Sequence, residues 1–327
     1  MRDYFVIEGG VPLMGEILPA GNKNAALPCL AACLLTDETV TLRNLPAIRD
    51  VKTMGSLLEA LGVDIEIVDP HTWRLCAKGL QAQASQLDTD MFRAIRGSIL
   101  ISGPLLARFG QFSVPAPGGD VIGRRRVDTH FLAFRALGAL DGIQDGMFTV
   151  QTAKLTGADI LLDEASVTGT ENAVMAAVLA EGTTILRNAA SEPHVQDLCQ
   201  LLNAMGAQIS GIGTNTLVIE GVTRLHGADY TIGSDHIEVG SYIALAAATH
   251  GELLIKNAMP QHLRMILWVF ERLGVLTETR GDDLFVPSYQ PLDIVPDLGG
   301  AIPSIKDNPW PAFPADLMSI ALVLATQ

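Results

Sequence analysis

Three places in this sequence bring together residue types that can move charge or protons. Lys23 and Asn24 follow Ala20-Gly21-Asn22, a turn-prone run that predicts a helix starting near Asn24. Unpaired N–H groups and the helix dipole favour an anion there. Lys adds a mobile positive charge and Asn a polar contact, although an N-cap Asn beside a surface Lys accounts for the same pair. The stretch PAPGGDVIGRRRVDTH (115–130) places one acid, Asp120, after Pro117-Gly118-Gly119, a loop expected to be mobile and exposed, and ahead of Arg124, Arg125 and Arg126. A Gly-rich stretch is often only a turn, but an acid beside three arginines costs little to keep and can transfer a proton. Asp316 ends NPWPAFPAD (308–316) just ahead of an apolar helix. It can cap that helix or, in a cleft, serve as a general base.

Charge sharpens the middle candidate. The 327 residues carry a net charge of −14, which argues against nucleic acid or an anionic membrane as partner. Yet Arg93, Arg96, Arg108, Arg124, Arg125 and Arg126 share their segment with the single acid Asp120. Such a segment is a candidate anion site, or else a solvated helix face followed by a basic loop. Cys29, Cys33, Cys76 and Cys199 lie in apolar patterns without metal-ligand spacing, which reads as free thiols in a reducing cytoplasm. No metal is expected, and no nucleotide-cofactor fingerprint is present, so no cofactor is expected. The N-terminus lacks a signal-peptide core, and the longest apolar runs are too short to span a bilayer.

The elements that must position these residues come from a repeat. TDETVTLRNLPAIRDVKTMGSLLEALGVDIEI (36–67), EGTTILRNAASEPHVQDLCQLLNAMGAQIS (181–210) and HGELLIKNAMPQHLRMILWVFERLGVLTET (250–279) each run strand, Asn, amphipathic helix, Gly, strand. Asn44, Asn188 and Asn257 precede Gly62, Gly206 and Gly274 by 18, 18 and 17 residues, and an apolar helix precedes each copy. The fold is therefore read as α/β, with helices packed inside or against sheets. Units near 24–67, 68–150 and 163–222, placed around a pseudo-threefold axis, would close one core. Residues 4–18 read as two strands around Gly9–Gly10. The segment from Ala228 opens a second set, whose last helix, in FPADLMSIALVLATQ, ends the chain. The expectation is an incomplete, unstable second set with Leu322, Val323 and Leu324 partly exposed, and little turnover from the 327 residues alone.

With GNKNAALP (21–28), RGSILISGPLLARFG (96–110), PGGDVIGRRRVDTH (117–130), SVTGTENAVMAAVLAEGTT (166–184) and PAFPAD (311–316) in this order, the whole chain resembles the UDP-N-acetylglucosamine 1-carboxyvinyltransferase family of enolpyruvyl transferases. The resemblance implies two inside-out α/β barrels built from repeated βαβαββ units. One spans 22–227, the other 1–21 with 228–327 and lacks its last repeat, and the active site lies in the cleft between them. It implies phosphoenolpyruvate and UDP-N-acetylglucosamine as substrates and a cytoplasmic role in peptidoglycan synthesis, with no cofactor, nucleic acid or membrane involved. By position, Lys23 and Asn24 match the pair that contacts phosphoenolpyruvate, and Arg96 and Arg125 match arginines that hold substrate and phosphate. Arg125, Arg126, Val127, Asp128 and Thr129, with Ser166 and Val167, match the surfaces that grip the nucleotide. Asp316 matches the base near the 3′-hydroxyl. Asp120 stands where the family usually has Cys, and His236 where many members have Arg. The shikimate-pathway enolpyruvyl transferase and a catalytically inactive nucleotide-sugar-binding relative are the competing readings.

Overall fold

Each repeat turns a corner on an asparagine in the left-handed region, with φ of 58° at Asn44, 57° at Asn188 and 47° at Asn257. Asn tolerates that region because its short amide can bond locally. Asn44 Nδ2 donates to Ile232 O at 2.9 Å and Asn188 Nδ2 to Leu162 O at 3.0 Å. These two amides tie their corners to the end of a strand that arrives from elsewhere in the chain, while Asn257 Nδ2 donates to Ser234 Oγ at 3.4 Å. The constant spacing read in the sequence is the spacing of these corners.

The computed structural model describes residues 4–80, 89–119 and 126–327. The chain divides into two units, Gly21–Gly233 and Met1–Ala20 with Ser234–Gln327. The helices are α1 (Lys23–Ala32), α2 (Arg49–Ala60), α3 (Thr89–Ala94), α4 (Ser102–Phe109), α5 (Asp128–Ala136), α6 (Val167–Ala177), α7 (Pro193–Ala204), α8 (His236–Ala248), α9 (Arg264–Arg272) and α10 (Met318–Leu324). A 3₁₀ turn, Arg96–Ile101, runs into α4.

The sheets repeat one order. In the larger unit, Asp229–Thr231 lies parallel to Val40–Arg43, followed by antiparallel Thr72–Cys76 and Asp64–Asp69. In the same way, Asp159–Leu161 lies parallel to Thr183–Arg187, followed by Thr216–Glu220 and Gln208–Ser210. Gln111–Pro115, Met147–Gln151 and Leu140–Gln144 form a three-stranded version. In the smaller unit, Met14–Ile17 lies parallel to Glu252–Ile255, followed by Asp283–Val286 and Glu278–Arg280. These are separate sheets, not one closed ladder.

Helices fill the larger unit. Residues Ala25–Ala32 of α1 are all buried, as a helix that is apolar all round requires, and Gly169–Ala177 of α6 are buried too, with Thr170, Glu171 and Asn172 among them. Within this core α1 packs on α7 and α2, and α6 packs on α4 and α5. The smaller unit closes its own core around Ile243, Ile266, Phe270, Leu284, Phe313 and Leu317.

Two expectations are corrected. Only Met14–Ile17 forms a strand within 4–18, because residues 4–8 meet no partner strand and Phe5 is 96% exposed. In α10, Leu322 and Val323 are exposed, but Leu324 is buried in the core. Among the described residues, no helix is long and apolar enough to cross a membrane.

Candidate functional site

α1 begins at Lys23 because Asn22, not Asn24, caps it. Asn22 is buried, and its Oδ1 accepts Asn24 N–H at 2.7 Å and Ala25 N–H at 3.2 Å. Capping by Asn24 is therefore ruled out, and Asn24 lies exposed on the first turn. Lys23 is exposed beside it, with Nζ 3.5 Å from Asp50 Oδ2. An exposed ion pair of this kind is worth at most about 1 kcal/mol. An arriving phosphate or carboxylate can therefore take Lys23 from Asp50 at little cost. The Arg96 turn is seated directly on this helix: a Cβ on Gly97 would stand 2.8 Å from Leu27 Cδ1.

Close approach, not openness, explains Gly118 and Gly119 of the basic segment. A Cβ on Gly118 would come within 2.0 Å of Arg93 O, and Gly119 has a φ of 91° against Arg96. The Gly118–Gly119 stretch, expected to be mobile, is packed onto the Arg93–Arg96 turn. Asp120, Arg124 and Arg125 lie outside the described residues. Arg108 leaves the arginine group altogether, since it donates to Leu34 O at 2.9 Å and pairs with Asp37.

The nucleotide-grip candidates come together where the 3₁₀ turn, α5 and α6 begin. Arg96 Nη2 donates to Arg126 O at 3.1 Å. The Arg126 guanidinium donates to Asp128 Oδ2 at 3.0 Å and to Asp163 Oδ2 at 2.7 Å. The buried Thr129 hydroxyl donates to Asp163 Oδ1 at 2.8 Å, with Glu164 Oε1 at 3.3 Å. Val127 leads into α5, while Ser166 caps α6 by accepting Gly169 N–H at 3.2 Å, so that Val167 is its first helical residue. Asp163 and Glu164 were missed by the sequence reading; the signal was a pair of acids directly ahead of a helix cap. The Thr129 hydroxyl, and then Arg126, hold the Asp163 carboxyl below the usual carboxylate range. Arg126 is thereby oriented, with much of its charge already answered.

A buried network locks these helix starts. Asn172 Oδ1 accepts Gly103 N–H at 2.7 Å, and its Nδ2 donates to Ile99 O at 2.9 Å and to His130 Nδ1 at 2.8 Å. With Nδ1 accepting, the proton sits on Nε2, which faces Thr168 Oγ1 at 3.2 Å. Burial, with Arg96 second, lowers the His130 pKa to about 3 from 6.5. A depressed folded-state value means stability that is present above about 6.5 and lost as pH falls toward about 3. Its upper bound is about 5 kcal/mol at ~1.4 kcal/mol per pH unit. Asp197, raised to about 6 chiefly by burial, acts in the opposite sense, so only a difference isolates His130. Unfolding free energies of His130→Gln are expected to fall less steeply between pH 6.5 and 4 than those of wild type. Parallel slopes would refute the assignment.

Asp316 stands in the other unit. It lies exposed in the 3₁₀ turn Ala315–Leu317, whose cap position is Pro314. Its neighbours anchor it. Leu317 is fully buried where a Cβ on Gly240 would meet its Cδ1 at 2.6 Å, and Phe313 packs on Phe270. Asp235 caps α8 through Ile237 N–H at 2.9 Å and Glu238 N–H at 3.3 Å. Burial pushes the Asp235 carboxyl up, and Glu238 and Asp316 add to this. His236, first residue of α8, meets the Trp310 ring edge-on at 5.7 Å; burial, then His262, lowers its pKa to about 4. A neutral imidazole here supplies none of the positive charge that an Arg would.

A family model described as EPSP synthase (3-phosphoshikimate 1-carboxyvinyltransferase) matches residues 7–326. The UDP-N-acetylglucosamine 1-carboxyvinyltransferase of Bradyrhizobium diazoefficiens is 54% identical over 99% of this chain and 74% of its own length. That of Treponema denticola is 52% identical over 100% of this chain and 76% of its own. In fold, the chain is similar to the enolpyruvyl transferase NikO from Streptomyces tendae. The TM-score is 0.74 at 23% identity, over 86% of this chain and 67% of that one. EPSP synthase from Acinetobacter baumannii gives a TM-score of 0.69 at 18% identity, over 86% and 66%. With these relatives matched across nearly its whole extent, the chain belongs to the UDP-N-acetylglucosamine 1-carboxyvinyltransferase family of enolpyruvyl transferases.

Proposed function

We propose that this protein transfers the enolpyruvyl group of phosphoenolpyruvate to the 3′-hydroxyl of UDP-N-acetylglucosamine and releases phosphate, the first committed step of peptidoglycan synthesis. The observation that carries the reading is the 54% identity to a relative of that name over 99% of the chain. An acid protonates the methylene carbon of phosphoenolpyruvate, and the 3′-oxygen bonds to the adjacent carbon while its proton passes to a base. Loss of phosphate, with a proton from the new methyl group, then restores the double bond. Lys23 and Asn24 hold phosphoenolpyruvate and the tetrahedral intermediate, with Arg96 and Arg125 on its anionic groups. Arg126, Val127, Asp128, Thr129, Ser166 and Val167 grip the nucleotide, aided by Asp163. Asp120 is the acid and Asp316 the base. Both units are read as inside-out α/β barrels, a reading supported by interior helices such as α1 and α6 and by sheet strands such as Asp64–Asp69 that face solvent. The cytoplasm is the matching compartment, in keeping with the free thiols Cys29, Cys33, Cys76 and Cys199.

The test is an assay of the product of the whole reading frame. Phosphate release is expected with phosphoenolpyruvate and UDP-N-acetylglucosamine, and none with shikimate 3-phosphate as acceptor. The reverse preference would overturn the reading in favour of the shikimate-pathway enzyme, and binding of the nucleotide sugar without turnover would favour an inactive relative. Arginine and lysine charges suffice for the phosphate, so turnover is also expected to survive exhaustive chelation. Activity lost to a chelator and restored by a metal ion would contradict that.

A further inference from the structure

We propose that Asp197, on α7, is a positioning residue for this reaction: it fixes Gly233, and through Gly233 the Asn22 cap that presents Lys23 and Asn24. The inference rests on the roles proposed above for Lys23 and Asn24. Asp197 Oδ2 accepts Gly233 N–H at 3.2 Å, and its Oδ1 accepts the Tyr230 hydroxyl at 2.8 Å. The Gly233 carbonyl accepts Asn22 N–H at 2.9 Å. Asn22 Oδ1 then takes Asn24 N–H and Ala25 N–H, the bonds that start α1 where it does. From the other side, Asn44 Nδ2 donates to Ile232 O at 2.9 Å and Ile232 N–H to Arg43 O at 3.0 Å. The 230–233 segment is thus clamped between a repeat corner and a buried carboxylate, and α1 hangs from it.

Stability alone does not account for a carboxylate in this place. Asp197 is 9% exposed, and it adds to the burial that raises the thiol of Cys29 on α1. Burial pushes the Asp197 carboxyl up to about 6 against the bonds from Tyr230 and Gly233. A carboxylate raised in this way works against folding as pH rises from about 4 to about 6. What it supplies is an acceptor aimed at Gly233 N–H. Asn supplies the same acceptor without the charge: its oxygen can take Gly233 N–H while its Nδ2 donates to a Tyr230 oxygen. The Tyr230 hydroxyl can then turn to Gln200 Oε1, 3.2 Å away.

The experiment compares Asp197→Ala, Asp197→Leu and Asp197→Asn with wild type and Lys23→Ala. The Leu variant keeps the site filled in case the Ala variant fails to fold. The Ala and Leu variants are expected to raise KM for phosphoenolpyruvate about tenfold, the loss of one such bond, with KM for the nucleotide sugar unchanged. Asp197→Asn should restore the wild-type value. Read without ligand, amide exchange at Asn24 and Ala25 should quicken in the Ala and Leu variants, while that at Gly169, capped by Ser166, should not. Equal rises in both KM values, or exchange at Asn24 unchanged in both the Ala and Leu variants, would overturn the proposal. If Lys23→Ala leaves the phosphoenolpyruvate KM untouched, the role given to Lys23 fails instead, and exchange at Asn24 still decides what Asp197 does.

Discussion

Asp120→Asn is expected to abolish turnover, and Asp120→Cys to keep turnover while making the protein sensitive to fosfomycin. The reasoning is chemical and starts from the departure at this position. An ordinary Asp titrates near ~3.9 and an ordinary Cys near ~8.5. At neutral pH a Cys donor is therefore already protonated, whereas a carboxyl must be kept so. That takes roughly 4 kcal/mol, about three pH units at ~1.4 kcal/mol each. Bound phosphoenolpyruvate brings negative charge, which raises a carboxyl pKa, and the arginines of the segment lower it. The anionic substrate is expected to win, which gives activity that falls toward alkaline pH, and more steeply than in Asp120→Cys. An amide cannot replace a general acid, whose contribution is typically about 10²–10⁴-fold. A carboxylate is also a far weaker nucleophile than a thiolate, so an epoxide that alkylates Cys should leave wild type untouched. Inactivation of wild type by fosfomycin at the rate of the Cys variant, or full turnover from Asp120→Asn, would sink the idea.

The sequence made the repeat legible because its punctuation is stereochemical. Asn44, Asn188 and Asn257 occupy left-handed corners, and Gly62, Gly206 and Gly274 have φ of 93°, 99° and 78°, so their types and spacing follow from backbone geometry. The apolar helices were equally readable, since a helix without a polar face has nowhere to lie but inside. Capping was harder. Asn22 and Asn24 are two residues apart and both good cap formers, and the bond that Asn22 N–H donates to Gly233 O comes from far along the chain. The basic segment misled for a similar reason. A count of six arginines cannot show that Arg108 turns to Leu34 O or that Arg126 is answered by Asp163. Partners 37 and 74 residues away leave no local pattern.

The largest stability effect is expected from Asn172, which the sequence reading passed over as one letter of a motif. Its amide serves Gly103 N–H, Ile99 O and His130 Nδ1, all in the core. Asn172→Ala strands Gly103 N–H and His130 Nδ1, while Ile99 O keeps the bond from Ser102 N–H. An unmet buried group costs about 1–3 kcal/mol, so the two together cost about 2–6 kcal/mol, against a total of about 5–15 for a typical domain. The lost bonds tie together the Arg96 turn, α5 and α6, so nucleotide-sugar affinity should fall with stability. Asn172→Asp discriminates this account from a simple cavity. A carboxylate there still accepts Gly103 N–H, and beside His130 it favours the protonated imidazole, whose Nδ1–H can now donate to it. The His130 resonance, neutral in wild type down to its pKa of about 3, should then titrate at higher pH in the Asp variant. Asn172→Ala with a wild-type denaturation midpoint, or a His130 titration identical in wild type and Asn172→Asp, would show that the network does not hold the site.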